Sequence, residues 1–266
     1  MPIQVTLLGT GTSAGVPMIG CRCSVCTSQD PRDRRDRPGA LVRYCDNEGT
    51  ERGILIDTPP ELRLQMIRHA VMRLDAVVYT HEHADHVFGL DDLRRFNAVS
   101  RRHLDAYGEP RTLDLIRRSF GYAFDPESNV NRSFVPDIRL HAIGAGELLP
   151  LFGRDWFALR LMHGQLPILG YRVGRFAYCT DVSVIPEASL AMLAGLDLLV
   201  LGALRSRPHP THLTIAQAVA AIESLRPRRA YLTHFAHDLA HRELERMLPE
   251  HVRPGHDGLT VEVADE

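Results

Sequence analysis

Apolar residues in this chain fall into short runs that stop at a histidine, an aspartate or a glycine, a pattern of strand ends rather than of long helices. Ile3 to Leu8 predicts a first strand. Leu41 to Tyr44 and Gly53 to Ile56 flank the turn-prone Asp46-Asn47-Glu48-Gly49 and predict a hairpin that leads into Asp57. Ala76 to Tyr79, Trp156 to Met162, Phe176 to Thr180, Leu198 to Leu201 and Arg229 to Thr233 are further strand-like runs. Helical spacing replaces them over Pro60 to His69, where Leu62, Met66 and His69 or Ala70 share a face and proline suits the first turn. It returns over Thr214 to Ser224, where Ile215, Ala218, Val219 and Ile222 share a face and Thr214 suits the cap. Asp91 to about Phe124 reads as mostly helical and arginine-rich, and residues 91–135 are expected to form a helical insertion. Each half has strands followed by helices, which is compatible with two sheets packed face to face and covered outside by helices. No tandem repeat of solenoid length is present.

Composition narrows the class. At 266 residues and 44% hydrophobic content the chain is expected to form one α/β domain over 1–266 with a layered core. No stretch approaches the roughly 18 to 20 uninterrupted apolar residues of a membrane span. The N-terminus lacks a basic segment followed by an apolar one, so a cytoplasmic location and no membrane partner are expected. The formal charge is −2 and every basic side chain other than histidine is arginine, which excludes a lysine Schiff base and a P-loop lysine. Near-neutral charge argues against long nucleic acid as partner and favours a small-molecule substrate. The glycine-rich turn Gly9 to Gly15 has no helix pattern behind it, so dinucleotide binding is not expected. The mixed-charge run Asp30 to Arg37 reads as a solvated loop, and Arg94, Arg95, Arg101 and Arg102 as a solvated face.

The densest chemistry lies directly after Ala76–Tyr79, in Thr80-His81-Glu82-His83-Ala84-Asp85-His86. Borderline nitrogen donors and a hard carboxylate at one sheet edge suit two closely spaced divalent metals better than one. His163, Asp181 and His234 each end a later apolar run, and ligands gathered from several strand ends are how an open-sheet enzyme assembles a site. A second cluster, Cys21-x-Cys23-x-x-Cys26, offers three soft ligands on the loop of about 20–38, with His237 a candidate fourth. A Cys₃His set would be a closed, structural zinc site, and a reduced cysteine cluster without metal is the alternative. Cys45 and Cys179 read as ordinary buried thiols.

Through Thr80-His81-x-His83-x-Asp85-His86 and the ordered His163, Asp181 and His234, the chain resembles the metallo-β-lactamase superfamily over nearly its whole length. The resemblance implies an αββα sandwich of two mixed sheets flanked by helices, with two metals at one edge. It assigns His81, His83 and His163 to the first metal and Asp85, His86 and His234 to the second, with Asp181 bridging. Glu82 stands at a variable position of that motif. The cysteine triplet paired with His237 is similar to the PhnP-type phosphodiesterases, which accompany carbon-phosphorus lyase and open cyclic ribose phosphates. That subgroup carries one structural zinc beside its dinuclear site. It also has a general-acid histidine 22 residues before the last metal ligand, where this chain has His212.

Chemistry agrees with this picture. Divalent ions about 3.5 to 4 Å apart hold a bridging hydroxide at neutral pH, with Asp85 helping to hold the attacking centre and His212 protonating the leaving alkoxide. Zinc or manganese, less readily iron, suits such ligands. Two dications less Asp85, Asp181 and a hydroxide leave a formal charge of about +1, which matches a monoanionic diester. The expected function is therefore metal-dependent hydrolysis of small, cyclic ribose or nucleotide phosphodiesters included. A ribonuclease Z-type tRNA processor is the first rival, although no basic arm is evident. A β-lactamase or thioester hydrolase is the second, and a nonenzymatic metal-dependent carrier on the same fold belongs to another class. Oligomeric state is open, a homodimer included.

Overall fold

The computed structural model describes residues 2–264. Its strands are β1 (Ile3–Gly9), β2 (Gly39–Cys45), β3 (Glu51–Ile56), β4 (Ala76–Val78), β5 (Leu104–Gly108), β6 (Ile138–Ala142), β7 (Leu148–Leu151), β8 (Arg154–His163), β9 (Leu166–Val173), β10 (Phe176–Cys179), β11 (Leu198–Gly202), β12 (Arg229–Thr233), β13 (Val252–Pro254) and β14 (Thr260–Val263). The helices are α1 (Leu62–Arg68), α2 (Ala84–Val87), α3 (Arg94–Ser100), α4 (Pro110–Ser119), α5 (Gly121–Phe124), α6 (Glu187–Met192), α7 (Ile215–Leu225) and α8 (His241–Met247).

Two seven-stranded sheets result, in the orders β14-β1-β2-β3-β4-β5-β6 and β13-β12-β11-β10-β9-β8-β7. Both are mixed in the same way. In the first, β14 to β3 pair antiparallel and β3 to β6 parallel. In the second, β7 to β10 pair antiparallel and β10 to β13 parallel. The weak halving of the sequence is thus a repeated sheet plan. Side chains that alternate inward from both sheets, among them Val5, Val42, Ile54, Val78, Trp156, Tyr171 and Val200, fill the space between them. A second apolar cluster packs the outer face of β8–β12 against residues of α7 and α8, and a third packs the outer face of β2–β5 against residues of α1, α3 and α4. This is the αββα sandwich expected from the sequence.

The parallel strands matter most for function, because β3, β4, β10, β11 and β12 deliver their C-terminal ends, and the loops that follow, to one edge. Local sequence explains the elements well. Thr214 caps α7 by accepting from the Gln217 amide while the Gln217 side chain accepts from Thr214 N, a reciprocal box. Residues 91–135 differ from the expected helical insertion: β5 lies inside them and joins β4 to β6 within the sheet. Its short Leu104-Asp105-Ala106-Tyr107 alternation sits between arginine-rich helices, and sheet pairing overrides the helical surroundings.

The run Asp30 to Arg37 also departs from the solvated loop expected of it. Asp33 and Arg35 are 3% and 1% exposed. Glycines let this segment dock, since a Cβ on Gly11 would lie 2.7 Å from Arg35 O. Cys179 is buried, whereas Cys45 is only half-buried. Among the described residues no helix is long and apolar enough to cross a membrane.

Candidate metal centre

Strand β4 ends at Val78, Tyr79 still donates its amide to Tyr107 O, and the chain then turns so that α2 brings Asp85 and His86 back beside His81. His163 closes β8, Asp181 follows β10 and His234 follows β12. Side-chain donors from His81, His83, His163 and Asp181 converge within 4.8 Å of one another. Those of Asp85, His86, Asp181 and His234 do the same, so Asp181 belongs to both sets. His83 is the exposed member; the others are buried.

Ring orientation is set from behind. Asp57, at the end of β3, accepts the His86 Nδ1 proton at 2.7 Å, Thr80 N at 2.8 Å and the Thr80 hydroxyl at 2.8 Å. With its own proton given to Asp57, Thr80 Oγ1 accepts from His81 Nδ1 at 3.0 Å. One carboxylate therefore fixes the tautomer of two imidazoles and leaves both Nε2 atoms as bare donors. His163 Nδ1 lies 2.8 Å from the carbonyls of Asp181 and Thr211, which turns its Nε2 the same way. Asp57, Asp181 and His234 all have positive φ, at 63°, 57° and 65°. Such backbone costs roughly 1 kcal/mol or more per residue and persists at sites where geometry is imposed by function.

Three buried ring nitrogens, His81 Nε2, His86 Nε2 and His234 Nδ1, have no hydrogen-bond partner. They lie 3.8, 3.5 and 3.2 Å from Asp181 oxygens. Unsatisfied nitrogens facing a shared carboxylate are what a divalent cation would complete, so the donor set fits a metal pair. Electrostatics point the same way. Burial alone would raise Asp181, but His234 and His86 hold it well below the usual carboxylate range. Burial lowers His86, yet Asp181, Asp85 and Asp57 outweigh it and hold His86 well above its ordinary value, so the site favours a positive charge at His86 Nε2, where a cation would displace the proton and leave the nitrogen bare.

His212 reaches this cluster from the loop after β11, its ring centroid 4.6 Å from that of His163 and 4.9 Å from that of His234. Burial, then His234, pushes it down to about 3. His209 packs behind it at 5.1 Å, half-buried. Arg207 is exposed and pairs with Asp238. Glu82 pairs with Arg111 on α4, in keeping with its place outside the ligand set.

The second cluster also assembles. Donor atoms of Cys21, Cys23, Cys26 and His237 lie within 4.8 Å of one another, and His237 Nδ1 is 3.4 Å from Cys21 Sγ and 3.3 Å from Cys23 Sγ. Backbone amides face the sulfurs: Cys26 N donates to Cys23 Sγ and Met18 N to Cys26 Sγ. The Cys26 amide, with His237, lowers Cys23 to about 6, while burial pushes Cys26 up to about 11, so one thiol of the set is readily a thiolate and the other would give up its proton to a bound cation. All eleven residues singled out from the sequence as candidate ligands are thus brought together in these two clusters. Asp57 stood out in the sequence only as the acid after a hairpin, Thr80 only as the first residue of the motif, and neither their orienting roles nor that of Arg35 was legible. A buried-looking strand followed by Asp was the available signal for Asp57; none existed for Arg35.

Residues 52–235 match the β-lactamase superfamily domain. A solved structure described as a new diphosphatase from the PhnP family is 42% identical, with a TM-score of 0.89 and 98% of each chain covered. An octanoyltransferase of Porphyromonas gingivalis is 39% identical over 268 residues. That alignment takes in 99% of this chain and 52% of the relative, so the chain spans about half of that relative's length. The short form of human tRNase Z shares the fold at 20% identity and a TM-score of 0.69, over 98% of this chain and 100% of that one.

Proposed function

The chain belongs to the metallo-β-lactamase superfamily of metal-dependent hydrolases, on its PhnP-like side, and on that premise we propose that it is a dinuclear phosphodiesterase of small substrates, cyclic ribose and nucleotide phosphates included. The observation that carries this reading is Asp181, one carboxylate common to two four-residue donor sets whose imidazoles present bare nitrogens. Divalent ions held by His81, His83, His163 and Asp181, and by Asp85, His86, His234 and Asp181, would supply ionised water at neutral pH and offset charge on a phosphoryl group.

The chain's own residues do the rest. Asp57 and Thr80 keep His81 and His86 from rotating. The carbonyls of Asp181 and Thr211 do this for His163. Exposed His83 marks the open side from which a small anion enters. His212 is the proton donor to the leaving oxygen. Burial, then His234, disfavours a charged ring, and an anionic diester bound against it supplies the opposite charge that favours its protonated form. Asp57 adds a third carboxylate to the charge balance, so net charge alone no longer separates diesters from monoesters. The diphosphatase description of the 42% identical structure extends the substrate class to be tested to diphosphate linkages.

The test pairs elemental analysis with turnover of cyclic and linear diesters, a diphosphate diester, a thioester, a β-lactam and a precursor tRNA. Turnover of the small diesters with two metals per active site is the expected result. Full metal occupancy without hydrolysis of any phosphate ester would favour a carrier, and salt-sensitive cleavage of the tRNA would favour a tRNA processor.

A further inference from the structure

His234 and His237 stand three positions apart, yet one belongs to the carboxylate cluster and the other to the cysteine cluster. The backbone between them lies outside β12, and its anchors are few. Phe235 N donates to Thr10 O at 2.8 Å, and Ala236 N donates to Leu204 O at 2.9 Å. His237 O faces Cys23 Sγ at 3.7 Å, and the carbonyls on either side of it are held by one side chain. Arg35 donates through Nη1 to Ala236 O at 2.6 Å and through Nη2 to Leu239 O at 2.8 Å, on either side of His237. The guanidinium carbon lies 5.2 Å from the ring centroid of Phe235, the residue next to His234. Asp33 completes the setting, 3.4 Å from Nη2, and accepts the His241 amide at 2.6 Å.

A guanidinium in the interior carries a desolvation cost of several kcal/mol, offset only where its donors meet well-placed acceptors. Lysine could not replace it, because an ammonium cannot span two carbonyls with a planar fork. Through the Phe235 ring and the carbonyls of Ala236 and Leu239 the guanidinium ties residues 235–239 together directly beside His234, so a displacement of His237 would reach His234 through Phe235. We propose that Arg35 is a positioning residue that couples the two clusters, such that filling the cysteine site raises metal affinity at the Asp85, His86, Asp181 and His234 site, and the reverse. This rests on reading both clusters as metal sites.

Coupling between binding sites is reciprocal, and typical strengths are about 5- to 150-fold. The experiment is a zinc and cobalt titration of the full chain against a chromophoric chelator, with the thiolate-to-cobalt absorption band reading the cysteine site alone. Cys23→Ser, which touches no active-site ligand, is expected to weaken one active-site metal by a factor in that range. Asp85→Asn is expected to weaken cobalt at the cysteine site by the same factor. In an Arg35→Lys background Cys23→Ser should no longer change active-site affinity, the signature of a double-mutant cycle. Should Arg35→Lys not fold, Asp33→Asn, which frees one side of the guanidinium, gives the same comparison with a reduced factor. Two metals bound at the active site with affinity indifferent to Cys23→Ser would overturn the coupling, and an effect of unchanged size in the Arg35 or Asp33 variants would overturn the role of Arg35. Absence of metal from both clusters of the wild type would instead overturn the reading beneath it.

Discussion

The two clusters are built on opposite principles. The carboxylate cluster draws its candidate ligands from four separated stretches of chain, after β4, at the end of β8, after β10 and after β12, and buries nearly all of them. Rings are steered by Asp57, Thr80 and two carbonyls, and strained backbone is held at three of its residues. The cysteine cluster takes three candidate ligands from six consecutive positions of one half-exposed loop, steered by that loop's own amides, and only His237 comes from afar. In the first case the fold makes the site. In the second, ligation would fix the local fold, because around the cysteines the loop before β2 carries no helix or strand, its regular features being one short 3₁₀ turn and the isolated Val16–Arg35 bridge. Loss of a ligand should therefore damage chemistry at one cluster and order at the other.

The sharpest way to break that contrast is Asp181→Asn. Removing the shared carboxylate should release active-site metal and lower turnover by more than about 10³-fold, beyond the roughly 10- to 100-fold typical of outer partners. Zinc at the cysteine site should be reduced only by the coupling factor. Wild-type metal content with normal turnover would remove Asp181 from its proposed place. Next in size is His212→Ala. It should keep its metals and lose about 10²- to 10⁴-fold on alkyl diesters, with a much smaller loss on nitrophenyl diesters, whose leaving group departs without a proton. Equal losses on both substrates would assign His212 to loop packing.

How far the sequence discloses each cluster follows from the same contrast. Four ligands within Thr80–His86 are visible because a strand end concentrates them, and His163, Asp181 and His234 because each terminates an apolar run. The cysteines are visible by spacing alone. The segments that orient these groups are far less legible. Arg35 sits in a run of charges whose composition signals solvation, yet Val16 pairs with it across an isolated bridge and its fork is taken up by the carbonyls of Ala236 and Leu239. Those partners are about 200 residues away, and no local pattern encodes them. Strand β5 is hidden in the same way, as its identity depends on the neighbours β4 and β6 rather than on its own short alternation.

Cys23→Ser sharpens the comparison from the other side. It should remove one zinc per chain and lower the thermal midpoint, by about 4 to 8 °C if the lost ligation is worth about 2 kcal/mol. With active-site metal supplied in excess, kcat should stay within about tenfold of wild type. Unchanged melting and unchanged zinc would mean that the thiols hold no metal. A collapse of kcat under saturating metal would mean that the cysteine cluster takes part in the chemistry, which would erase the distinction between the two.

The smallest effect concerns the turn at Thr10, which holds Phe235 beside His234. Asp257 belongs to neither cluster. One of its oxygens accepts from Thr10 N at 2.9 Å and Thr10 Oγ1 at 2.8 Å, and the other accepts from Asp36 N at 2.6 Å. Thr10 O in turn receives the Phe235 amide beside His234. Burial pushes Asp257 up to about 7 from an ordinary value of 3.8. The folded chain thus takes up a proton at this group that the unfolded chain releases until much lower pH. The penalty for burying the charge is full above pH 7 and fades as pH falls toward 4, with a slope of at most about 1.4 kcal/mol per unit. Asp257→Asn removes that slope, while its amide group confronts a backbone donor at every pH. Urea unfolding at pH 7.5 and 5.5 under fixed metal should show wild type gaining about 1 to 2 kcal/mol over the variant on acidification. Parallel stabilities across that interval would mean that the three donors hold Asp257 ionised throughout, and that the turn beneath both clusters is insensitive to pH.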